Sequence, residues 1–214
     1  MSNDDTAASG SGRLFVLSAP SGSGKSTLKD RVLKLLPELV YSVSFTTRQP
    51  RPGEVDGRDY NFVTPEKFKA MIEAGDFLEW AEVFGRFYGT GRAWVEERLA
   101  AGHDVLADLD VAGAASVRKL EPDAVLIFMV PPTAAELGRR LTARQTETLE
   151  EAKRRLTRAR AEVGRRHIYD YLLINDDLDR STEELFNIIK NGQGRPMSDM
   201  ERFWPEFFGD EAQP

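Results

Sequence analysis

The feature that most constrains this chain is a glycine-rich segment between an apolar run and an amphipathic pattern. The segment consists of Ala19, Pro20, Ser21, Gly22, Ser23, Gly24, Lys25, Ser26 and Thr27. Residues 14–17 before it predict a buried strand, and the apolar residues after it (Leu28, Val32, Leu35 and Leu36) recur at helical spacing. The glycines can turn backbone N–H groups toward an anion, the lysine can reach outer phosphates, and the Ser26 hydroxyl suits Mg²⁺. The order predicts a phosphate-binding loop, or P-loop.

One position departs from the general P-loop pattern. Ala19 stands where the motif has its first glycine, and alanine fits there only with a negative φ. The alternative is a Ser/Gly-rich surface turn before a helix. The strand, the Gly-Lys-Ser sequence and the helix in register favour phosphate binding.

The composition predicts a globular protein. The chain has 214 residues, of which 41% are hydrophobic and 30% charged, so it can bury a sizeable core as one domain with an inserted lobe. No apolar run approaches the roughly 20 residues that span a bilayer. The polar residues 1–12 predict a disordered leader, not a signal peptide. The absence of cysteine excludes disulfides and thiolate metal sites and suits a cytoplasmic location.

The charges are unevenly distributed. The net charge of −6 disfavours broad binding to nucleic acid or to an anionic membrane. Basic residues nevertheless cluster in two segments: Arg48, Arg51 and Arg58, and then Arg139, Arg140, Arg144, Arg154, Arg155 and Arg158. Local positive charge on an acidic chain indicates a small polyanion held in a cleft.

Alternating strand and helix patterns predict an α/β core. Apolar runs at 105–109, 124–130 and 171–174 are each followed by a helical pattern, which is typical of a doubly wound parallel sheet with helices on both faces. Capping boxes predict helix starts at Thr133 with Glu136, at Thr148 with Glu151 and at Ser181 with Glu184.

The pattern changes between about 38 and 90. Residues 41–46 alternate apolar and polar and predict a half-buried antiparallel strand, and a short strand follows at 60–63. Thr64-Pro65 begins a helix that ends at Gly75. We expect a strand-rich lobe here, inserted into a core of residues 13–37 and 91–190. The aromatic tail at 191–214 leaves three alternatives open: it folds over the core, binds a partner or covers an oligomer face.

Several segments of the lobe form a recognisable set. They are Ser44-Phe45-Thr46-Thr47-Arg48-Gln49-Pro50-Arg51-Pro52-Gly53-Glu54, Gly57-Arg58-Asp59-Tyr60, Phe77-Leu78-Glu79 and Phe87-Tyr88-Gly89-Thr90. Together with the P-loop, the chain resembles the guanylate kinases, in order and nearly without gaps from about residue 14 to 189. Only the leader and the tail lie outside the resemblance.

The residue types of the lobe suit a guanosine monophosphate. Arg48 and Arg51 can donate bidentate hydrogen bonds to its phosphate, and Tyr60 and Tyr88 add phenolic donors, although each tyrosine alone fits core packing equally well. Guanine presents N1–H and N2–H₂ as donors. A carboxylate such as Glu79 accepts both, whereas adenine would leave that carboxylate poorly paired.

The resemblance implies further roles. Ser44 and Thr90 serve the guanine O6 and neighbouring atoms, and Asp110 lies beside the guanosine. Asp108 helps to hold the Mg²⁺ shell through water, together with Ser26; the alternative for Asp108 is a helix N-cap or a solvated turn.

Residues of about 139–158 resemble the mobile lid of guanylate kinases, although such an arginine-rich segment is usually a solvated helical face. The resemblance places Arg144 and Arg155 on the triphosphate with Arg140 in support. Asn175 and Asp176 match the family's adenine-side contacts.

The resemblance implies an Mg²⁺-dependent enzyme that transfers the γ-phosphoryl group of ATP to GMP, and also to dGMP, giving a diphosphate and ADP. Lys25, Arg51, Arg144 and Arg155 would be catalytic. The expected partners are ATP and GMP, with no nucleic acid or membrane, and the sequence leaves the oligomeric state open. The alternatives are a scaffold module that has lost catalysis and a kinase for another monophosphate.

Overall fold

The computed structural model describes residues 11–20, 22–83, 85–142, 157 and 161–208. The strands are β1 Leu14–Ser18, β2 Val40–Ser42, β3 Phe45–Thr46, β4 Asn61–Phe62, β5 Phe77–Val83, β6 Arg86–Gly91, β7 Val105–Asp108, β8 Val125–Val130, β9 Tyr171–Ile174 and β10 Arg195–Pro196. The α-helices are α1 Lys25–Leu35, α2 Pro65–Ala74, α3 Arg92–Ala100, α4 Val111–Leu120, α5 Ala134–Thr142, α6 Leu178–Asn191 and α7 Phe203–Phe208. Two 3₁₀ turns lie at Arg166–Ile168 and Met197–Met200.

The core is a six-stranded sheet in the order β10-β9-β8-β1-β7-β2. Its first strand in the sequence, β1, runs parallel to both of its neighbours, β7 and β8. β2 and β9 extend the parallel sheet, and only β10 is antiparallel. The predicted parallel-sheet core is confirmed, and the central strand β1 is buried along its whole length because helices cover both faces.

The two faces of β1 separate two hydrophobic clusters. Phe15 and Leu17 pack with Leu28 and Val32 of α1, which lies beside α6. Val16 packs on the opposite side with residues of α4, β8 and α7. The predicted helical stripe after the P-loop is right except at Leu35, which is 55% exposed because it lies at the last turn of α1 and turns away from the sheet.

A second, four-stranded sheet has the order β4-β3-β6-β5. The prediction of a single antiparallel strand over residues 41–46 is wrong. The segment is divided between β2, which is parallel to β7 in the core sheet, and β3, which is parallel to β4 and antiparallel to β6. An alternating pattern shows that one side of a strand is buried, but it does not specify the neighbouring strand. The core sheet therefore extends to Ser42, beyond the predicted boundary near 38.

The predicted helix starts have different outcomes. The α2 helix has Thr64 as its N-cap and Gly75 as its C-cap, as predicted. Thr133 accepts a hydrogen bond from the Glu136 N–H at 3.1 Å, which confirms that start. The predicted start at Ser181 is wrong, because Asp177 caps α6 by accepting from the Arg180 N–H. Ser181 instead donates from inside the helix to the Ile174 carbonyl. The predicted start at Thr148 lies outside the described residues.

The aromatic tail folds back over the core. β10 pairs with β9, and Met197, Trp204 and Phe207 are buried in the same cluster as Val16. Of the three alternatives for the tail, the described part up to residue 208 follows the first. None of the helices in the described ranges has both the length and the apolar character that crossing a bilayer requires.

Candidate nucleotide-binding site

The P-loop joins the end of β1 to the start of α1. Gly22 and Gly24 have φ values of 86° and 89°, in the left-handed region that glycine adopts without strain. Gly24 is required for a second reason, because a Cβ there would lie 2.7 Å from Nδ2 of Asn175. Ser21 is outside the described residues. The two glycines therefore allow the loop to turn tightly and to lie close to the end of β9.

A hydrogen-bond network fixes the outer side of the loop. The Asn175 side chain donates from Nδ2 to the Ser23 carbonyl at 2.7 Å. Arg140 donates to the Asn175 carbonyl at 3.1 Å and to the Ser23 carbonyl at 3.5 Å, and its Nε donates to Glu136 at 2.6 Å. Asp176 is exposed and forms an ion pair with Arg180. Asn175, expected on the adenine side, and Arg140, expected to support the lid arginines, thus lie directly against the P-loop.

Lys25 is the first residue of α1 and points toward the end of β7. Its Nζ forms an ion pair with Oδ1 of Asp108 and donates to the Leu109 carbonyl at 3.2 Å. The N-cap alternative for Asp108 is wrong, because the N-cap of α4 is Asp110, whose Oδ1 accepts from the Gly113 N–H at 2.9 Å. Both acids lie at the carboxyl edge of the parallel sheet, where ligands of such sheets bind.

Glu79 is a buried carboxyl on β5 of the second sheet. Its side chain is only 8% exposed, and its Oε1 accepts from the Thr90 hydroxyl on β6 at 2.7 Å. Burial raises the pKa of Glu79 to about 7, and the nearby charge of Asp110 adds to the rise. A carboxyl in such a setting is costly unless a ligand supplies hydrogen-bond donors to it.

Arg48 is held by a partner that the sequence argument did not assign. The Glu54 carboxylate accepts two hydrogen bonds from Arg48, at 2.8 and 2.9 Å, and a third from the Arg51 N–H at 2.7 Å. These contacts, the Arg48 pair first, lower the pKa of Glu54. The guanidinium also lies over the ring of Tyr60, 5.2 Å from its centroid. The only signal for this role in the sequence is that an acid follows two arginines.

A single cavity of about 280 Å³ joins the core to the second sheet. Predicted site residues line it from both sides: Lys25, Asp108 and Asp110 from the core, and Ser44, Tyr60, Glu79 and Tyr88 from the lobe. Thr90 lies behind Glu79, Ser26 lies exposed in the first turn of α1, and the Arg51 side chain is exposed at the rim of the lobe. Arg144 and Arg155, expected in the lid, lie outside the described residues.

A parallel sheet with a P-loop at its carboxyl edge, facing a second sheet across a polar cavity, defines the class as an α/β nucleotide-binding protein. The guanylate kinase family model matches residues 11–192. The guanylate kinase of Nocardia farcinica is 52% identical over 186 residues, which cover 86% of this chain and 96% of that protein.

Two further comparisons point to the same family. The guanylate kinase of Hahella chejuensis is 46% identical over 198 residues, covering 92% of this chain and 95% of that protein. The crystal structure of guanylate kinase from Anaplasma phagocytophilum superimposes with a TM-score of 0.72 at 33% identity, covering 92% of this chain and 95% of that one. The chain belongs to the guanylate kinase family. It is a phosphotransferase of the nucleoside monophosphate kinase type.

Proposed function

We propose that this protein transfers the γ-phosphoryl group of ATP directly to GMP, and also to dGMP, in an Mg²⁺-dependent reaction. The observation that carries the proposal is the shared cavity, because Lys25 of the P-loop and Glu79 of the lobe line the same space. Two nucleotides bound from opposite sides would meet there, which is the arrangement that in-line transfer needs.

In this proposal the buried carboxylate of Glu79 selects guanine. It accepts from the guanine N1–H and N2–H₂, and Ser44, Thr90 and Asp110 surround the base. Adenine presents no such pair of donors and would leave a buried carboxylate unpaired, which costs more than a missing contact at the surface. The 8% exposure of Glu79 supports strong discrimination between the two bases.

The phosphate of GMP would be bound at the other end of the lobe. Arg48 and Arg51 provide guanidinium groups, and Tyr60 and Tyr88 provide phenolic hydroxyls. The Glu54 carboxylate keeps Arg48 in one orientation before GMP arrives, since it contacts both terminal nitrogens of the guanidinium. Holding the arginine in place reduces the entropy that binding would otherwise cost.

ATP would be bound by the P-loop, residues 19–27, with Arg140 in support of the lid arginines and with Asn175 and Asp176 on the adenine side. Lys25 would stabilise the negative charge that develops on the transferred phosphoryl group, and Arg51 would lie beside the acceptor. Arg144 and Arg155 would add positive charge when the lid closes and would exclude water, which otherwise competes as acceptor. The attacking phosphate oxygen is already anionic, so a general base is unnecessary.

The donor set near Lys25 suits Mg²⁺. Ser26 offers a hydroxyl and Asp108 a carboxylate, and oxygen ligands are those that Mg²⁺ prefers. Lys25 forms an ion pair with Oδ1 of Asp108, and the carboxylate would hold the metal shell through water. When bound, Mg²⁺ would neutralise phosphate charge. The expected cytoplasmic location remains a prediction.

A coupled assay of ADP formation tests the proposal. We expect turnover with GMP, slower turnover with dGMP and little with AMP or UMP, each at saturating ATP. Omitting Mg²⁺ should abolish the reaction. Equal rates with GMP and AMP would contradict the role of Glu79, and binding of GMP without any turnover would instead support the scaffold alternative.

A further inference from the structure

The backbone conformation at position 113 does not require glycine, although Gly113 occupies it. It lies in the first turn of α4 and is buried, and its φ is not in the left-handed region. Glycine within a helix is less stabilising than alanine, so a reason other than the backbone must favour its presence.

The surroundings of Gly113 provide that reason. A Cβ at this position would lie 2.5 Å from Oε2 of Glu79 and 3.1 Å from its Cδ, whereas the distance to the Cβ of Leu109 would be an ordinary 3.5 Å. The Glu79 carboxylate therefore lies directly against the bare Cα of Gly113. No side chain larger than hydrogen fits between α4 and the carboxylate without displacing one of them.

Each oxygen of the Glu79 carboxylate has a defined neighbour. Thr90 donates to Oε1 from within the second sheet, and Oε2 rests on α4 of the core. The N–H of Gly113 meanwhile donates to Asp110, another acid that lines the cavity. Residue 113 is thus the point at which two of the carboxylates that line the cavity, those of Glu79 and Asp110, meet α4.

We propose that Gly113 is a specificity-determining position, whose missing side chain allows the Glu79 carboxylate to lie where it can read the base of the acceptor nucleotide. This inference rests on the proposed function. Gly113 acts through Glu79 and is a positioning residue.

An added methyl group should move the carboxylate and leave the fold intact. The clashing atoms are the end of the Glu79 side chain, which can rotate, whereas α4 and β5 are fixed by their own hydrogen bonds and packing. A rotated carboxylate would lose the Thr90 hydrogen bond and would no longer match the guanine donors. ATP binding, on the other side of the cavity, should be unaffected.

The test is Gly113→Ala, with steady-state kinetics for both substrates. We expect the KM for GMP to rise about 10- to 100-fold, the value for lost hydrogen bonds to a charged group, and the KM for ATP to change less than about twofold. Gly138→Ala is the matched control, because a Cβ there meets nothing within 4 Å. It should leave both KM values unchanged. An unchanged KM for GMP in Gly113→Ala would overturn the inference.

A double-mutant cycle with Glu79→Ala separates positioning from general damage. In the Glu79→Ala background the added methyl group has no carboxylate to displace, so Gly113→Ala should change the KM for GMP less than about twofold. Any decrease in melting temperature caused by Gly113→Ala should also disappear in that background. An effect of similar size in both backgrounds would refute the inference. If Glu79→Ala alone leaves the KM for GMP unchanged, the proposed function fails instead.

Discussion

The P-loop region and the inserted lobe are built in different ways. The P-loop connects the fully buried strand β1 to α1, and its shape depends on backbone geometry, with Gly22 and Gly24 in the left-handed region. The lobe contains two strands of only two residues, β3 and β4, and depends on side chains such as Glu79 and Arg48. Under the proposed function, phosphate binding would depend on backbone geometry that suits any nucleotide, whereas base selection would depend on one buried acid.

The largest expected effect is that of Lys25→Ala on the P-loop side. Loss of the cation that neutralises developing charge should lower kcat about 10²- to 10³-fold, with little change in the KM for GMP. The measurement is kcat beside a thermal melting curve. Lys34→Ala, at an exposed position of the same helix, is the control. Retained turnover in Lys25→Ala would remove the P-loop from the mechanism.

The next effect should be confined to the lobe. Glu79→Gln keeps the shape of the side chain but replaces an acceptor-only group, so the KM for GMP should rise about 10- to 100-fold and that for ATP should stay within about twofold. The control is Glu82→Gln on the exposed face of the same strand. Equal rises for both nucleotides would erase the distinction between the two regions.

The pH dependence of kcat/KM for GMP tests the same role of Glu79. Burial raises the pKa of the Glu79 carboxyl in the free enzyme to about 7, so below that pH it is mostly protonated and no longer offers two acceptor oxygens to guanine. We expect kcat/KM for GMP to fall up to about tenfold per pH unit below 7. The GMP phosphate itself titrates at about pH 6, as phosphate monoesters do. The pH profile of kcat/KM for Glu79→Gln shows that contribution alone.

The raised pKa of Glu79 also makes the stability of the ligand-free protein depend on pH. Because the folded protein binds a proton more tightly than the unfolded chain, stability should fall as the pH rises from about 4.5 to about 7 and then level off. Thermal melting across this range, compared with Glu79→Gln, measures the contribution. A slope that persists unchanged in Glu79→Gln would assign it to another group.

The smallest effect should come from Glu54→Gln. A neutral amide cannot accept both hydrogen bonds from Arg48, so the arginine becomes less ordered and the KM for GMP should rise about three- to tenfold, with the KM for ATP unchanged. Glu66→Gln, an exposed acid at the start of α2, is the comparison. An unchanged KM for GMP would show that Arg48 needs no partner to bind phosphate.

Local sequence signals predicted much of the fold. The strand, P-loop and helix at residues 14–35 and the capped helix Pro65–Ala74 follow from patterns within a few residues of one another. Predictions that depend on a distant partner were less successful. Residues 41–46 were divided between two sheets, because the pattern does not specify the neighbouring strand. One local prediction also failed: Asp177 replaced Ser181 as a cap, since several nearby polar residues can each satisfy the first N–H groups of a helix.

The sequence by itself determined which chemical groups are available: a loop that can bind phosphates, arginines for a second phosphate and an acid that suits guanine. Only the tertiary structure decided that Lys25 and Glu79 line one cavity and that Glu54 holds Arg48. It also decided the pKa of Glu79, which depends on burial and on the charge of Asp110. Distances and burial between residues far apart in the chain arise from packing, and no local pattern encodes them.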